Sequence, residues 1–331
     1  MVVVMRITNN ALNVLAAKTY RGIGRAWIVR NIEGNESADR LVTLLSEGSK
    51  EGRTISVHEF EERKQYIRNQ LEQFEGVVDG VVAIGDSSFP MHRGIVKNSE
   101  KPVVLFYRGD LRLLEKENKN VAVIGLLNPD EEIELVEKQV VSSLVSYGAT
   151  IVSGLALGCD TVAHKQALLS GGKTVAILPS PISDILPQKN KVLAEEIVQR
   201  GGLLISEYYE RAKSKIELRG RYQERDRLQA MFSDCVVLSA SYAKNDLGND
   251  SGSRLAMEYA KKYSIPRAVI YDQKTDAKNP KYDLNRQLIK EDREITIINR
   301  QNLASAIKRI ISASAAAKPD QNYRRGLFDF V

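Results

Sequence analysis

Apolar residues along this chain fall into two regimes. Over residues 1–75 they recur at helical spacing: Leu12, Val14 and Leu15 share a face in the stretch from Asn10 to Val29, and Ser37 to Leu45 and Glu59 to Phe74 repeat the pattern. This predicts a small N-terminal helical domain. From Gly76 onward the apolar positions gather instead into short runs, first Val81-Val82-Ala83-Ile84 and Val103-Val104-Leu105-Phe106-Tyr107, set apart by Pro90 and Pro102. A regular alternation of such runs with amphipathic stretches then begins at Asn120. Its strand candidates are 121–124, 150–152, 174–178, 203–205, 235–238 and 268–270, with a further one at 295–298. Helical stretches between most of them predict an α/β fold, a doubly wound and mostly parallel sheet covered on both faces. The second domain is expected over 76–312, and the Ser/Ala/Pro-rich composition after Ser312 predicts a tail over 313–331. Its apolar end, Leu327 to Val331, could dock a protein partner or pack on the domain itself.

Charge and cysteine content narrow the picture only a little. Forty-eight Lys and Arg against 42 Asp and Glu give a net charge of +6, which permits a polyanionic partner without demanding one. Cys159 and Cys235 are far apart and form no ligand-spaced cluster with the three histidines, so neither a disulfide framework nor a metal site is expected. The N-terminus lacks a signal-peptide pattern and no run is long and apolar enough to span a membrane, so a cytoplasmic location is expected.

Ligands of open parallel sheets bind beyond the carboxyl ends of the strands, so the loops there carry the candidate chemistry. Gly125 follows the 121–124 run and leads into a helix start, where free amides can meet an anion. Ser153-Gly154-Leu155-Ala156-Leu157-Gly158 follows the next run, with Gly154 and Gly158 able to bring backbone close to a phosphate or merely to make a tight turn. Lys189 and Asn190 start a helix later on. Ser251-Gly252-Ser253 opens another helix after 235–238, where the serines can cap and the amides can hold an anion, although Asp250 alongside disfavours a phosphate. In the N-terminal domain, Arg21-Gly22-Ile23-Gly24-Arg25 suits either a phosphate or a turn whose Ile23 plugs the core.

The most charged segment runs from Arg211 to Arg227. Seven basic residues, including Arg219, Arg221, Arg225 and Arg227, stand against Glu217, Glu224 and Asp226, with Tyr208, Tyr209 and Tyr222 interleaved. Arginines fork onto phosphates and tyrosines offer faces to unstacked bases, the composition of a single-strand groove; a solvated helix face is the plainer alternative. His164 could act as a general base, but no serine or cysteine nucleophile pairs with it by spacing, and a structural role is simpler.

Taken in order, Ser153-Gly154-Leu155-Ala156-x-Gly158-x-Asp160 with Ala163-His164, Gly171 to Leu178, Pro187-x-x-Asn190, Leu204-x-Ser206-Glu207, Arg225-Asp226-Arg227 and Ser251-Gly252-Ser253 resemble the DprA/Smf DNA-processing proteins. Phe89-Pro90 and Leu105 to Asp110 resemble that family's lead-in, and Gly22-Ile23-Gly24 its helical domain of SAM or helix-hairpin-helix type. The resemblance implies a Rossmann-like core that binds single-stranded DNA in a basic pocket, forms a homodimer, and hands the strand to a RecA-type recombinase in natural transformation. It implies no metal, no cofactor and no catalysis. Carried over by position, Gly125, Ser153, Gly154, Lys173, Arg225, Arg227, Ser251 and Gly252 would line or support the pocket.

The chain departs from the family in ways that bear on that pocket. Leu127 and Leu157 stand where the family has arginines, Asp226 where it has asparagine, Ser239 where it has glutamate, and Gln223 where it has proline. Two phosphate contacts are thereby missing, which marks a diverged member. A nucleotide-binding enzyme or sensor of the lysine-decarboxylase-like Rossmann group is the alternative, although that group's Pro-Gly-Gly-x-Gly-Thr loop is absent. For a dimer surface, Leu255, Met257 and Ile289 are candidates, with core packing their simpler use.

Overall fold

A computed structural model describes residues 5–244 and 252–316, with side chains as far as residue 313. Ser251 and the apolar tail end at 327–331 lie outside the described residues. The N-terminal part holds α1 (Asn9–Ala17), α2 (Arg25–Asn31), α3 (Ala38–Gly48) and α4 (Val57–Glu72). The helical pattern from Asn10 to Val29 is split between α1 and α2 by the turn at Arg21 to Arg25, the turn reading of that motif. Gly22 takes φ +89° and Gly24 caps α2 in an extended conformation, neither compatible with a continuous helix. Ile23 is buried in the turn between them, among the helices.

The sheet begins with β1 (Arg6–Ile7), β2 (Gly80–Ala83) and β3 (Val104–Gly109), then β4 (Asn120–Ile124), β5 (Thr150–Ser153), β6 (Thr174–Leu178), β7 (Leu203–Ser206), β8 (Cys235–Leu238), β9 (Arg267–Ile270) and β10 (Thr296–Ile298). Their order is β1-β2-β3-β7-β6-β5-β4-β8-β9-β10. The seven strands from β7 to β10 in that order are mutually parallel, and β3 runs antiparallel to both its neighbours. The strand order reverses at β4, which pairs β5 on one side and β8 on the other. That switch point opens a crevice at the carboxyl edge.

Strand residues are buried on both faces, and the two-residue period assigns them. Val121, Val123, Ile151, Cys235 and Val237 face one side with α5 (Glu131–Ser146), α6 (Cys159–Leu169) and α11 (Leu303–Ala316); Ala122, Ile124, Val152, Val236 and Leu238 face the other with α8 (Lys215–Met231), α9 (Ser253–Lys262) and α10 (Asp283–Glu291). Helices α1–α4 and α7 (Lys191–Gln199) extend the first layer over β2, β3, β6 and β7. Met257 is fully buried and Ile289 packs against the same core, so neither offers a dimer face. Among the described residues no helix is long and apolar enough to cross a membrane.

Candidate nucleic-acid interface

Helix α8 sets the geometry at the switch point. Ser214 caps it by accepting from Glu217 N (3.1 Å), and Glu217 reaches back to accept from Lys213 N (2.8 Å). With its start fixed, the 3.6-residue period divides the basic segment. Lys215, Leu218, Arg219, Tyr222 and Asp226 fall on a stripe facing a cavity of about 570 Å³. Leu127 from the loop after β4, Ala156 and Leu157 after β5, Pro187 after β6, and Gly252, Arg254 and Leu255 at the start of α9 close the other sides. A second cavity, about 580 Å³, opens between α2 and the loop after β2, and contains none of the predicted site residues.

At the base of the first cavity lies a buried polar network. Asp160, in the first turn of α6, accepts from Gly154 N (3.1 Å) and Ala156 N (3.2 Å), which folds the β5 loop onto its own helix. Leu155 is held there at φ +59° and Gly158 at φ +75°. A Cβ on Gly158 would meet Leu126 O at 2.2 Å, so both the angle and the space favour glycine. Asn190 braces this turn by donating to Leu155 O (2.8 Å), Ala156 O (3.1 Å) and Thr161 Oγ1 (2.8 Å).

Arg225 enters the same network. Its Nη1 lies 3.4 Å from Asp160 Oδ2, and its Nε lies 3.3 Å from Asp226 Oδ1 without a directed hydrogen bond. Gln229 satisfies its neighbours with its amide nitrogen toward Asp226 Oδ1 (3.2 Å) and its oxygen accepting from Arg225 Nη1 (3.2 Å) and Gly154 N (2.9 Å). Burial pushes the Asp226 carboxyl up to about 7, against the pull of Arg225 and with a push from Asp160. One guanidinium thus sits between two carboxyl groups, and the floor of the cavity carries little positive charge.

The structure divides the residues singled out from sequence. Arg225 and Gly252 line the cavity, Arg219 lies on its rim, and Gly154 is buried behind the Arg225 guanidinium. Gly125, Ser153, Gly158 and Ser253 stand behind it: Ser153 Oγ donates to Val123 O (2.7 Å) and Ser253 Oγ to Gly125 O (2.8 Å). Three others lie elsewhere. Lys173 precedes β6, so it occupies the amino edge of the sheet, donating to Arg200 O (2.6 Å). Arg221 lies over the Tyr208 ring and is tied to Glu217 (2.6 Å) and Glu210 O (2.6 Å). Arg227 is fully buried, its Nη2 on Glu207 (2.6 Å) and its Nε near Glu224 (3.1 Å), the same carboxylates that Arg25 of α2 engages. Its burial opposes the charge, but the two glutamates more than offset this and raise its pKa. Arg221 and Arg227 are committed inside the fold and Lys173 is exposed at the opposite edge, so none of the three faces the pocket.

His164 is fully buried, its Nδ1 2.7 Å from Thr174 Oγ1; burial, then Arg225, lowers its pKa to about 3, so it is uncharged near neutrality and out of reach of the cavity. Lys215, from the basic Arg211 to Arg221 run, lines the cavity, as do Leu218, Leu255 and Pro187, which the sequence had not assigned to it. Stepping back along α8 from Asp226 by three or four residues, to Tyr222, Arg219, Leu218 and Lys215, recovers most of the helix stripe from sequence alone.

A sequence profile of the family described as DNA recombination-mediator protein A matches residues 80–307. Protein Smf of Synechocystis is 32% identical over 165 residues, 49% of this chain and only 39% of that protein. DNA processing protein DprA of Streptococcus pneumoniae is 26% identical over 271 residues, 80% of this chain and 89% of the relative. The X-ray structure of the pneumococcal protein superposes with a TM-score of 0.68 at 22% identity, covering 92% of this chain and 98% of that one. A structure of DNA processing protein A from Helicobacter pylori, described for its single-stranded DNA binding mode, gives 0.55 at 28% identity over 69% of this chain and 96% of that one.

Proposed function

The chain belongs to the DNA recombination-mediator protein A family, the DprA/Smf proteins, and from that premise we propose that it binds single-stranded DNA at the carboxyl edge of its sheet, in the cavity between α8 and the loops after β4, β5, β6 and β8. The observation that carries this is how the basic side chains of α8 are paired. Arg221 and Arg227 are consumed by carboxylates, whereas Lys215 and Arg219 reach the cavity rim with no hydrogen-bond or ion-pair partner among the described residues. Cations left in this state at the switch point are available to phosphates. Gly154, Gly158, Gly252 and the serines behind them set the shape of the site.

In this reading the protein is a binding module. It needs no cofactor, acts as a cytoplasmic homodimer, and passes its strand to a RecA-type recombinase during DNA processing of the natural-transformation type. The inaccessible His164 is consistent with a role in binding rather than proton transfer. Anisotropy of a labelled strand of about 30 nucleotides, titrated at several salt concentrations with duplex competitor, tests it. Single-strand preference is expected, with log K falling by about 0.7 per neutralised phosphate and less steeply in Lys215→Ala/Arg219→Ala. Equal binding by that variant would refute the site, and absence of binding at low salt would refute the function.

A further inference from the structure

We infer that the cavity receives an unstacked base of the bound strand rather than its phosphate, with Leu127 and Leu157 flanking the base and Asp226 reading its edge; the inference rests on the single-strand reading above. The walls are the first reason. Leu127 is 59% exposed and Leu157 38% exposed, yet both turn toward the same cavity, where Leu218, Leu255 and Tyr222 meet them. Isolated exposed leucines need no explanation, but several converging on one concave site with a tyrosine form a surface for a flat apolar face.

The floor is the second reason. Arg225 is shared between Asp160 and Asp226, so a phosphate reaching the bottom of the cavity would approach two carboxyl groups along with one guanidinium. A base is uncharged and meets no such repulsion. Asp226 Oδ1 faces Arg225 and Gln229, while Oδ2 lies over the start of α9, 2.9 Å from where a Cβ on Gly252 would stand. Once ionised, above about pH 7, this carboxylate only accepts hydrogen bonds and suits bases with exocyclic amino donors, cytosine, adenine and guanine, over thymine, so the test is run at pH 8. Other charges surround Asp226: Arg225 beside it and Arg219 two turns earlier on the same helix, Asp160 from α6, and Arg254 on the α9 side of the cavity. The phosphates on either side of the base would fall to Lys215 and Arg219 at the rim.

The test compares three labelled strands of equal length and charge: oligo(dC), oligo(dT), and a tetrahydrofuran backbone without bases. The full chain is measured against Asp226→Asn and Leu127→Ala/Leu157→Ala, with circular dichroism to verify folding. Oligo(dC) is expected to bind about tenfold more tightly than the baseless strand, within the range one stacked base contributes. The leucine variant should narrow that gap, and Asp226→Asn should bring dC and dT together. Equal affinity for all three strands would overturn the inference and leave single-strand binding through phosphates intact. Failure of every strand to bind would overturn the single-strand reading and this inference with it.

Discussion

The guanidinium of Arg225 occupies the space that a side chain at residue 154 would need: a Cβ built on Gly154 falls 1.0 Å from Arg225 Nη1. Gly154 also donates its amide to Asp160, the carboxylate nearest that guanidinium. Glycine at 154 is thus a condition for where Arg225 sits, independently of any backbone angle. Gly154→Ala should therefore displace Arg225 while the sheet, anchored by strands on both sides of β5, persists. The expected result is an unchanged far-ultraviolet dichroism spectrum with weaker and less base-selective single-strand binding, because Asp226 loses the guanidinium that holds it.

Arg219 and Arg227 lie eight positions apart on one helix and should respond in opposite ways. Arg227→Ala leaves Glu207 buried without its closest cation, a loss on the order of 3 to 5 kcal/mol of folding free energy. Arg25 lies 3.5 Å from Glu207 and cannot replace that contact without moving. Arg219→Ala should change stability by no more than about 0.5 kcal/mol, as for other surface sites, and weaken strand binding. Urea denaturation and anisotropy on the same two variants would separate the roles.

Acidification should stabilise the protein through Glu137. This residue is fully buried on α5, neither carboxylate oxygen makes a directed hydrogen bond, and burial pushes its pKa up to about 8. A carboxyl raised in the folded state contributes stability that is fully present below its ordinary pKa and lost as pH rises through the folded value, here between about 4.5 and 8. Asp226 acts in the same direction up to about 7, and His164 opposes both as pH falls below its ordinary range. Urea midpoints from pH 5 to 8 should fall with pH in the unmodified chain and fall less in Glu137→Gln, with a difference in slope worth on the order of a few kcal/mol across the window.

Much of the scaffold was legible because strands buried on both faces need unbroken apolar runs, which Val121 to Ile124 and Cys235 to Leu238 supply. The two-residue β1 escaped notice because Arg6 and Ile7 are too short for a period to register. The site was half legible. Loop glycines marked the carboxyl edge, but charge alone could not tell Arg219 from Arg227, since pairing depends on Glu207, twenty positions away and brought near by folding. Lys173 was misplaced for a simpler reason: a residue just before a strand lies at the opposite edge from one just after it.

Leu127 and Leu157 provide the sharpest test of the path the strand takes across this pocket. Both are partly exposed on loops that lead into helices, so arginine at either position has room to extend toward solvent. Placing arginines there with Leu127→Arg/Leu157→Arg would add cations at the mouth without disturbing the Arg225–Asp160 pair below. Each added phosphate contact should steepen the dependence of log K on log salt by about 0.7. The same change removes the apolar walls, so the advantage of base-bearing over baseless strands should shrink while affinity at low salt rises. An unchanged salt slope would mean that the bound strand does not pass over these two loops, and would move its path toward Lys215 and the outer turn of α8.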